Sequence, residues 1–152
     1  IIAGYAIGAL LRWVITGTVV TVAALIAGMN VDGNGIDLLG LLGLGIFFNL
    51  VAALWGCGLA MFLRTEQAGA VIQMPVFVIL FLAPVYVPLS LLTGWIHDVA
   101  GLNPATVVLE AGRGLLAASP VDVGLAFVLL AAAAALLAIF ARRGLASAER
   151  AG

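Results

Sequence analysis

The chain has 152 residues, 65% of them hydrophobic and only 9% charged, with a formal net charge of −1 and a mean hydropathy of +1.31. A water-soluble domain of this length needs far more polar surface, so the composition excludes that class and leaves an integral membrane protein. Its six basic residues are all arginine, too few for a large nucleic-acid surface.

Four runs lack Asp, Glu, Lys and Arg: Trp13–Val31, Leu38–Leu63, Gln67–Ile96 and Val123–Ala141, each of 19 residues or more. A spanning helix needs ~20 apolar residues. Strand alternation is absent, which argues against a membrane barrel. The expected fold class is all-α: a polytopic membrane protein with four transmembrane helices and a re-entrant or interfacial helical hairpin before the last one. A single transmembrane domain, 1–152, is expected.

The first predicted span covers about 1–29. The chain begins at Ile1 without a signal-peptide pattern, and reads as a fragment. Gly4 and Gly8 form a GxxxG, a spacing that lets helices approach closely. Arg12 is an intramembrane charge, and such a charge is a functional candidate by default. The simpler reading is that Arg12 snorkels from the lower part of a long helix to the cytoplasmic headgroups. The sequence NVDGNG at 30–35 is a turn cluster. The second span covers 38–63 and contains Cys57, the sole cysteine, which reads as a small buried residue.

Arg64, Thr65, Glu66 and Gln67 make a short polar loop. The third span, 70–92, carries Pro75, Pro84 and Pro88, which predict kinks or a broken upper half. The stretch 95–118 follows. The last span, 120–141, is expected to start with Ser119 as cap, Pro120 at the first helical position and Asp122 as a capping-box acid. Residues 142–152 then form a cytoplasmic tail.

Charge sets the orientation. Arginine marks the cytoplasmic side. If Arg64 is inside, the third span runs outward. Were 95–118 to cross, Arg142, Arg143 and Arg150 would end on the wrong face. If it dips in and returns, all of these arginines are cytoplasmic. Its longest charge-free run, Val99–Leu109, is also too short to span. The stretch is therefore expected to be re-entrant on the outer side, with a cytoplasmic C-terminus.

Within it, Asn103 is a good helix cap and Pro104 suits the first position. Thr106, Glu110 and Arg113 then share one helix face, and Glu110 can pair with Arg113. Two readings stand side by side. The stripe faces a partner subunit or a polar path, or it is a self-satisfied pair anchoring the helix at the membrane surface. His97 lacks a second His or Cys and reads as solvated. No catalytic residue is expected: a GxSxG motif, a phosphate-binding loop and a metal-ligand set are all lacking. Apart from the capping Asp122 at the start of the last one, the predicted spans hold no acids, which argues against proton coupling.

Taken together, Gly4 and Arg12, Arg64 with Glu66 and Gln67, Pro84 and Pro88, Gly94-Trp95, Asn103-Pro104, and Glu110 with Arg113 resemble the C-terminal two-thirds of the permeases of type-2 ATP-binding-cassette exporters. Drug-resistance permeases and polysaccharide or lipid exporters belong to that group. The resemblance implies six spans in the family, the first two of them and a cytoplasmic coupling helix being absent here. It implies a permease subunit of an ATP-driven exporter in the bacterial plasma (inner) membrane, with no cofactor on this chain. ATP and Mg²⁺ would be handled by a cytoplasmic ATPase partner. A second permease, as homo- or heterodimer, would complete the path for a hydrophobic drug, lipid or polysaccharide. Nucleic acid is not an expected partner. Asn103, Pro104, Thr106, Glu110 and Arg113 would form the outer lid. Arg64, Glu66 and Gln67 would offer an ATPase-facing loop. The alternatives are a non-transporting membrane scaffold or anchor subunit, or a secondary transporter.

Overall fold

A computed structural model describes residues 2–150 of the chain; the first residue of the predicted first span and the last two of the predicted tail lie outside them. The described residues are helical, without strands: α1 (Ile2–Ile26), α2 (Gly35–Leu63), α3 (Ala68–Phe81), a 3-10 turn (Leu89–Leu91), α4 (Trp95–Leu102), α5 (Pro104–Leu116) and α6 (Val123–Glu149). Three of these helices, α1, α2 and α6, are long and apolar enough to cross a membrane.

α2 begins at Gly35, earlier than expected, because Asn34 and Asp37 form a reciprocal capping box. The Asn34 Oδ1 accepts from the backbone N–H of Ile36 and Asp37, while Asp37 Oδ2 accepts from Asn34 N. Three donors that would otherwise be orphaned near apolar surroundings are thereby satisfied. At the other end Arg64 adopts the left-handed conformation, φ 49°, and its N–H closes the helix on Ala60 O.

α2 and α6 run parallel and form the spine. Gly43 lies against Phe127, Gly58 against Phe140 and Ala141, and Gly144 against the Gly58 carbonyl. The absence of side chains at Gly58 and Gly144 lets the backbones approach. Phe140 fills the flank, stacked on Phe62 with ring centroids 4.9 Å apart. A buried cluster of Leu44, Ala111, Leu115, Ala126 and Leu130 joins this spine to α5. α1 packs antiparallel on α2 through Trp13, which lies against Gly45. Its outer face, including Gly4 and Gly8, meets nothing within the described residues.

The third predicted span departs most from expectation. α3 has 14 residues, ~21 Å at 1.5 Å per residue, short of the ~30 Å hydrocarbon core. Pro84 has no N–H to continue the helix and disfavours helical geometry at Ala83. The chain therefore leaves the helix after Phe81 and runs irregularly to the 3-10 turn. Pro75 is tolerated inside α3.

The start of α6 also differs. Ser119 does not cap it: its N–H donates to Gly114 O at 2.8 Å and closes α5. Ala118 is left-handed there, φ 53°, the pattern that ends a helix with a six-to-one hydrogen bond. Committed to ending α5, residues 117–121 cannot begin the next helix. Asp122 is the N-cap, in left-handed geometry and without a side-chain cap bond, and α6 starts at Val123. α6 then continues past the expected stop at 141 through Arg142 and Arg143 to Glu149.

Both ends of the bundle are defined by hydrogen bonds. At one end the N–H groups of Asp32 and Gly33 donate to Leu116 O at 3.0 and 3.1 Å, so the α1–α2 loop meets the end of α5. At the other, Arg64 Nη2 donates to Ser147 O at 2.7 Å and to its Oγ at 3.1 Å. The Arg64 loop and the arginine-bearing end of α6 therefore lie together, opposite the end at which α5 finishes.

Candidate functional site

The site is built around the α3 break. Where a helix stops without regular continuation, its last carbonyls and the irregular backbone beyond need partners. α5 supplies them. Asn103 is its N-cap: Oδ1 accepts from Ala105 N at 3.0 Å, and Nδ2 donates to Ile79 O, near the end of α3, at 2.6 Å. Thr106 Oγ1 donates to Ala100 O at 2.6 Å, closing the last turn of α4 onto α5. Asn103 and Thr106 are both buried. Pro104 occupies the first helical position.

Seven residues along α5, Glu110 and Arg113 form the expected ion pair, Nη1 to Oε1 2.7 Å. The pair does more than satisfy itself. The same Glu110 oxygen accepts from the backbone N–H of Leu89 at 3.0 Å, at the start of the 3-10 turn. Arg113 Nη2 donates to the carbonyls of Pro84 and Val85, the latter at 2.7 Å. The guanidinium fork thus holds two consecutive carbonyls and a carboxylate, which a point charge such as lysine could not do with the same geometry. Both side chains are about 30% exposed, at 30% and 29%. The polar stripe read from the sequence is therefore a clasp on the chain's own proline-broken segment. The opposite face of α5, with Ala105, Val108 and Leu109, lines an apolar groove of about 600 Å³ against α1 and α2.

The other expected residues lie elsewhere. Arg64 is exposed and tied to α6, while Glu66 and Gln67 are exposed in the loop; Gln67 is the N-cap of α3 without a side-chain cap bond. Because the Arg64 contacts are exposed, Arg64→Ala is expected to cost within ~1 kcal/mol. Arg64→Gly should cost less, since glycine suits the left-handed position. Denaturant midpoints of both variants in detergent check the order; a more stable Ala variant would contradict it. His97 is exposed, its Nδ1 3.4 Å from Asp98 Oδ1. Cys57 is buried, and no cluster of metal-ligating side chains exists among the described residues.

Arg12 lines a second cleft, about 400 Å³, between α1 and α2, with Tyr5, Thr16 and Asn49. Sequence reasoning did not single out Asn49. Its signal was an amide inside a charge-free span, where polar side chains are expensive and selective. Asn34, Asp37 and Ser147 were also passed over as structural partners, and the backbone acceptors at 84 and 85 carry no side-chain signal at all.

No curated protein and no solved structure matches the chain. Residues 1–117 match the family described as ABC-2 type transporter. That stretch runs from α1 through the end of α5 and contains the α3 break, the clasp and both clefts. With that match over most of its length and three helices able to cross a membrane, the chain belongs to the ABC-2 type transporter family, as a multi-pass membrane permease component.

Proposed function

We propose that the chain is the permease subunit of an ATP-driven exporter in a bacterial plasma membrane, working as a dimer with cytoplasmic ATP-binding-cassette ATPases. The family match over residues 1–117 carries this reading. The Arg64 loop and the end of α6 form the cytoplasmic, ATPase-facing side, where Arg142 and Arg143 also lie exposed. The α3 helix with its irregular continuation makes a fourth crossing. The α4–α5 hairpin is the outer lid, entering and leaving on the extracellular side. Support comes from the position of Leu116 against the α1–α2 loop, at the end of the bundle opposite Arg64. The unpartnered face of α1, with Gly4 and Gly8 open, suits packing against the second permease. ATP hydrolysis belongs to the partner chain and drives the permease between inward- and outward-facing states.

Glu110→Ala tests the lid. It removes the carboxylate that joins Arg113 to the Leu89 N–H. The expected result is export reduced at least tenfold in vesicles, with membrane insertion and ATPase association unchanged. Export at the parent rate would reject the lid role. Topology is checked by single cysteines at Glu66 and Ala118, both exposed. They should label from opposite sides of the membrane; labelling from one side would break the re-entrant arrangement.

A further inference from the structure

The clasp bonds do not reach the Arg12 cleft. Asn49 lies midway along the 29-residue α2, and its Oδ1 is buried with no hydrogen-bond partner among the described residues. Arg12 faces the same cleft from α1, and the ion pairs among the described residues, His97–Asp98 and Glu110–Arg113, leave it without an acid. Sharing a cleft with the midpoint of α2 puts the guanidinium near the bilayer midplane. An arginine stem covers only part of the ~15 Å from there to either headgroup layer. The cleft thus offers an exposed cation without an acid and a buried acceptor without a donor. Tyr5 and Thr16 add hydroxyls that can donate or accept.

Trp13 lines this cleft and also the apolar groove beside it, so the two cavities adjoin at that residue. The groove is walled by Val14, Gly17 and Thr21 of α1, Leu44 and Phe48 of α2, and Val108 of α5. At about 400 and 600 Å³ the two spaces are each of the size that holds small organic ligands. One carries polar groups and a positive charge on a mostly apolar wall, and the other is nearly pure hydrocarbon.

We propose that the Arg12–Asn49 cleft and the adjoining groove form one site for an amphipathic organic anion, cargo held between the two leaflets. Its anionic oxygen is bound by Arg12, an O–H or N–H next to that oxygen is accepted by Asn49 Oδ1, and its apolar body lies along Trp13 in the groove. Charge complementarity and depth select this occupant. A lipid belonging to either leaflet keeps its headgroup at the surface, whereas a head bound at Arg12 has left the surface. The assignment deepens the permease reading by naming the class of molecule carried, and binding and transport are measured separately so that each can fail alone.

The full chain is placed in phosphatidylcholine nanodiscs as Trp55→Phe/Trp95→Phe, leaving Trp13 as the sole tryptophan reporter. The probe is 12-bromododecyl phosphate, whose monoanion carries both a charged oxygen and an O–H and whose bromine quenches indole fluorescence. Saturable quenching is expected, with Kd raised at least tenfold by Arg12→Gln and at least threefold by Asn49→Leu. Arg12→Lys, which keeps the charge, should stay within threefold, and an unchanged Trp13 emission maximum verifies that the cleft is intact. The cationic 12-bromododecyl trimethylammonium should show no saturable quenching. Equal Kd in Arg12→Gln and the parent, or equal binding of the cation, overturns the proposal. So does protection of Trp13 by a small mole fraction of phosphatidylglycerol that the probe cannot displace, which would mean a resident lipid. Cross-linking of Arg12→Cys to a second copy, with no quenching, would make the cleft a subunit contact and overturn it too. In proteoliposomes with the co-purified ATPase, binding without ATP-driven movement of the probe leaves the site standing and counts against the permease reading. Movement that survives Arg12→Gln does the reverse.

Discussion

Arg113→Ala is expected to destabilise the protein by ~2–3 kcal/mol and to expose the 82–92 segment to protease. Three bonds are lost together: one to Glu110 and one each to the Pro84 and Val85 carbonyls. Bonds to a charged group contribute ~1.5–3 kcal/mol each when well shielded, and breaking a buried ion pair costs ~3–5 kcal/mol. An exposed pair contributes only ~0–1 kcal/mol. Side-chain exposures of 30% and 29% put this pair between those limits. The loss is not shared evenly, because Glu110 keeps its charge and retains only the Leu89 N–H. A double-mutant cycle with Glu110→Ala should therefore show a coupling of at least ~1 kcal/mol, as contacting residues do. Arg113→Lys should fall between, since an ammonium keeps the charge but cannot fork onto both carbonyls. Denaturant unfolding in detergent, with limited proteolysis in parallel, measures all of these. A cost no larger than that of Arg150→Ala, on the exposed end of α6, would mean that the clasp is a surface ornament.

The second large effect is steric. Gly33→Ala and Gly114→Ala are each expected to cost ~2–3 kcal/mol, although each adds a single methyl group. A Cβ at Gly33 would run into the Leu115 carbonyl oxygen, and one at Gly114 would lie 2.6 Å from that of Ser119. Both obstacles are backbone, so relief requires the elements themselves to separate, and forced overpacking costs ~1–3 kcal/mol or more. Separation at Gly33 would also break the Asp32 and Gly33 bonds to Leu116 O, while separation at Gly114 would strain the Ser119 bond that ends α5. Gly69→Ala in α3 is the control, because an added Cβ there meets nothing within 4 Å. Alanine is the better helix former by ~0.5–1 kcal/mol, so this substitution should stabilise. Unfolding midpoints that shift equally for all three glycines would refute the close approach.

Both effects concern the end of α5, which bears on how much of this region was legible beforehand. Asn103 and Pro104 gave the start of α5 correctly because a cap acts over two or three residues. Spacing gave the Glu110–Arg113 pair for the same reason: three positions along a helix fix the distance whatever else happens. The three prolines between 75 and 88 correctly forecast a broken third segment. They did not say that α3 would end at Phe81, leaving carbonyls whose partner sits on another element. Ser119, Pro120 and Asp122 have the right chemistry for a helix start. The start moved to Asp122 because Ser119 is used to close α5 on Gly114, a competition that no local pattern encodes.

Composition alone determined that this is a membrane protein, since nearly two-thirds apolar residues with so few charges have no stable place in water, and the long charge-free runs made it helical. Local patterns determined where several helices begin and that two opposite charges on α5 meet. The tertiary structure decided what those charges hold, which glycines permit backbone contact along α2 and α6, and that Arg12 and Asn49 share one cleft. The physical division is one of range. Caps, prolines and ion pairs at helical spacing act within a turn, and the sequence states them outright. Hydrogen bonds from Arg113 to residue 84, or from Arg64 to residue 147, depend on which helices lie side by side. That is set by the summed fit of small residues and apolar faces over whole helices, and it exists only once the chain has packed.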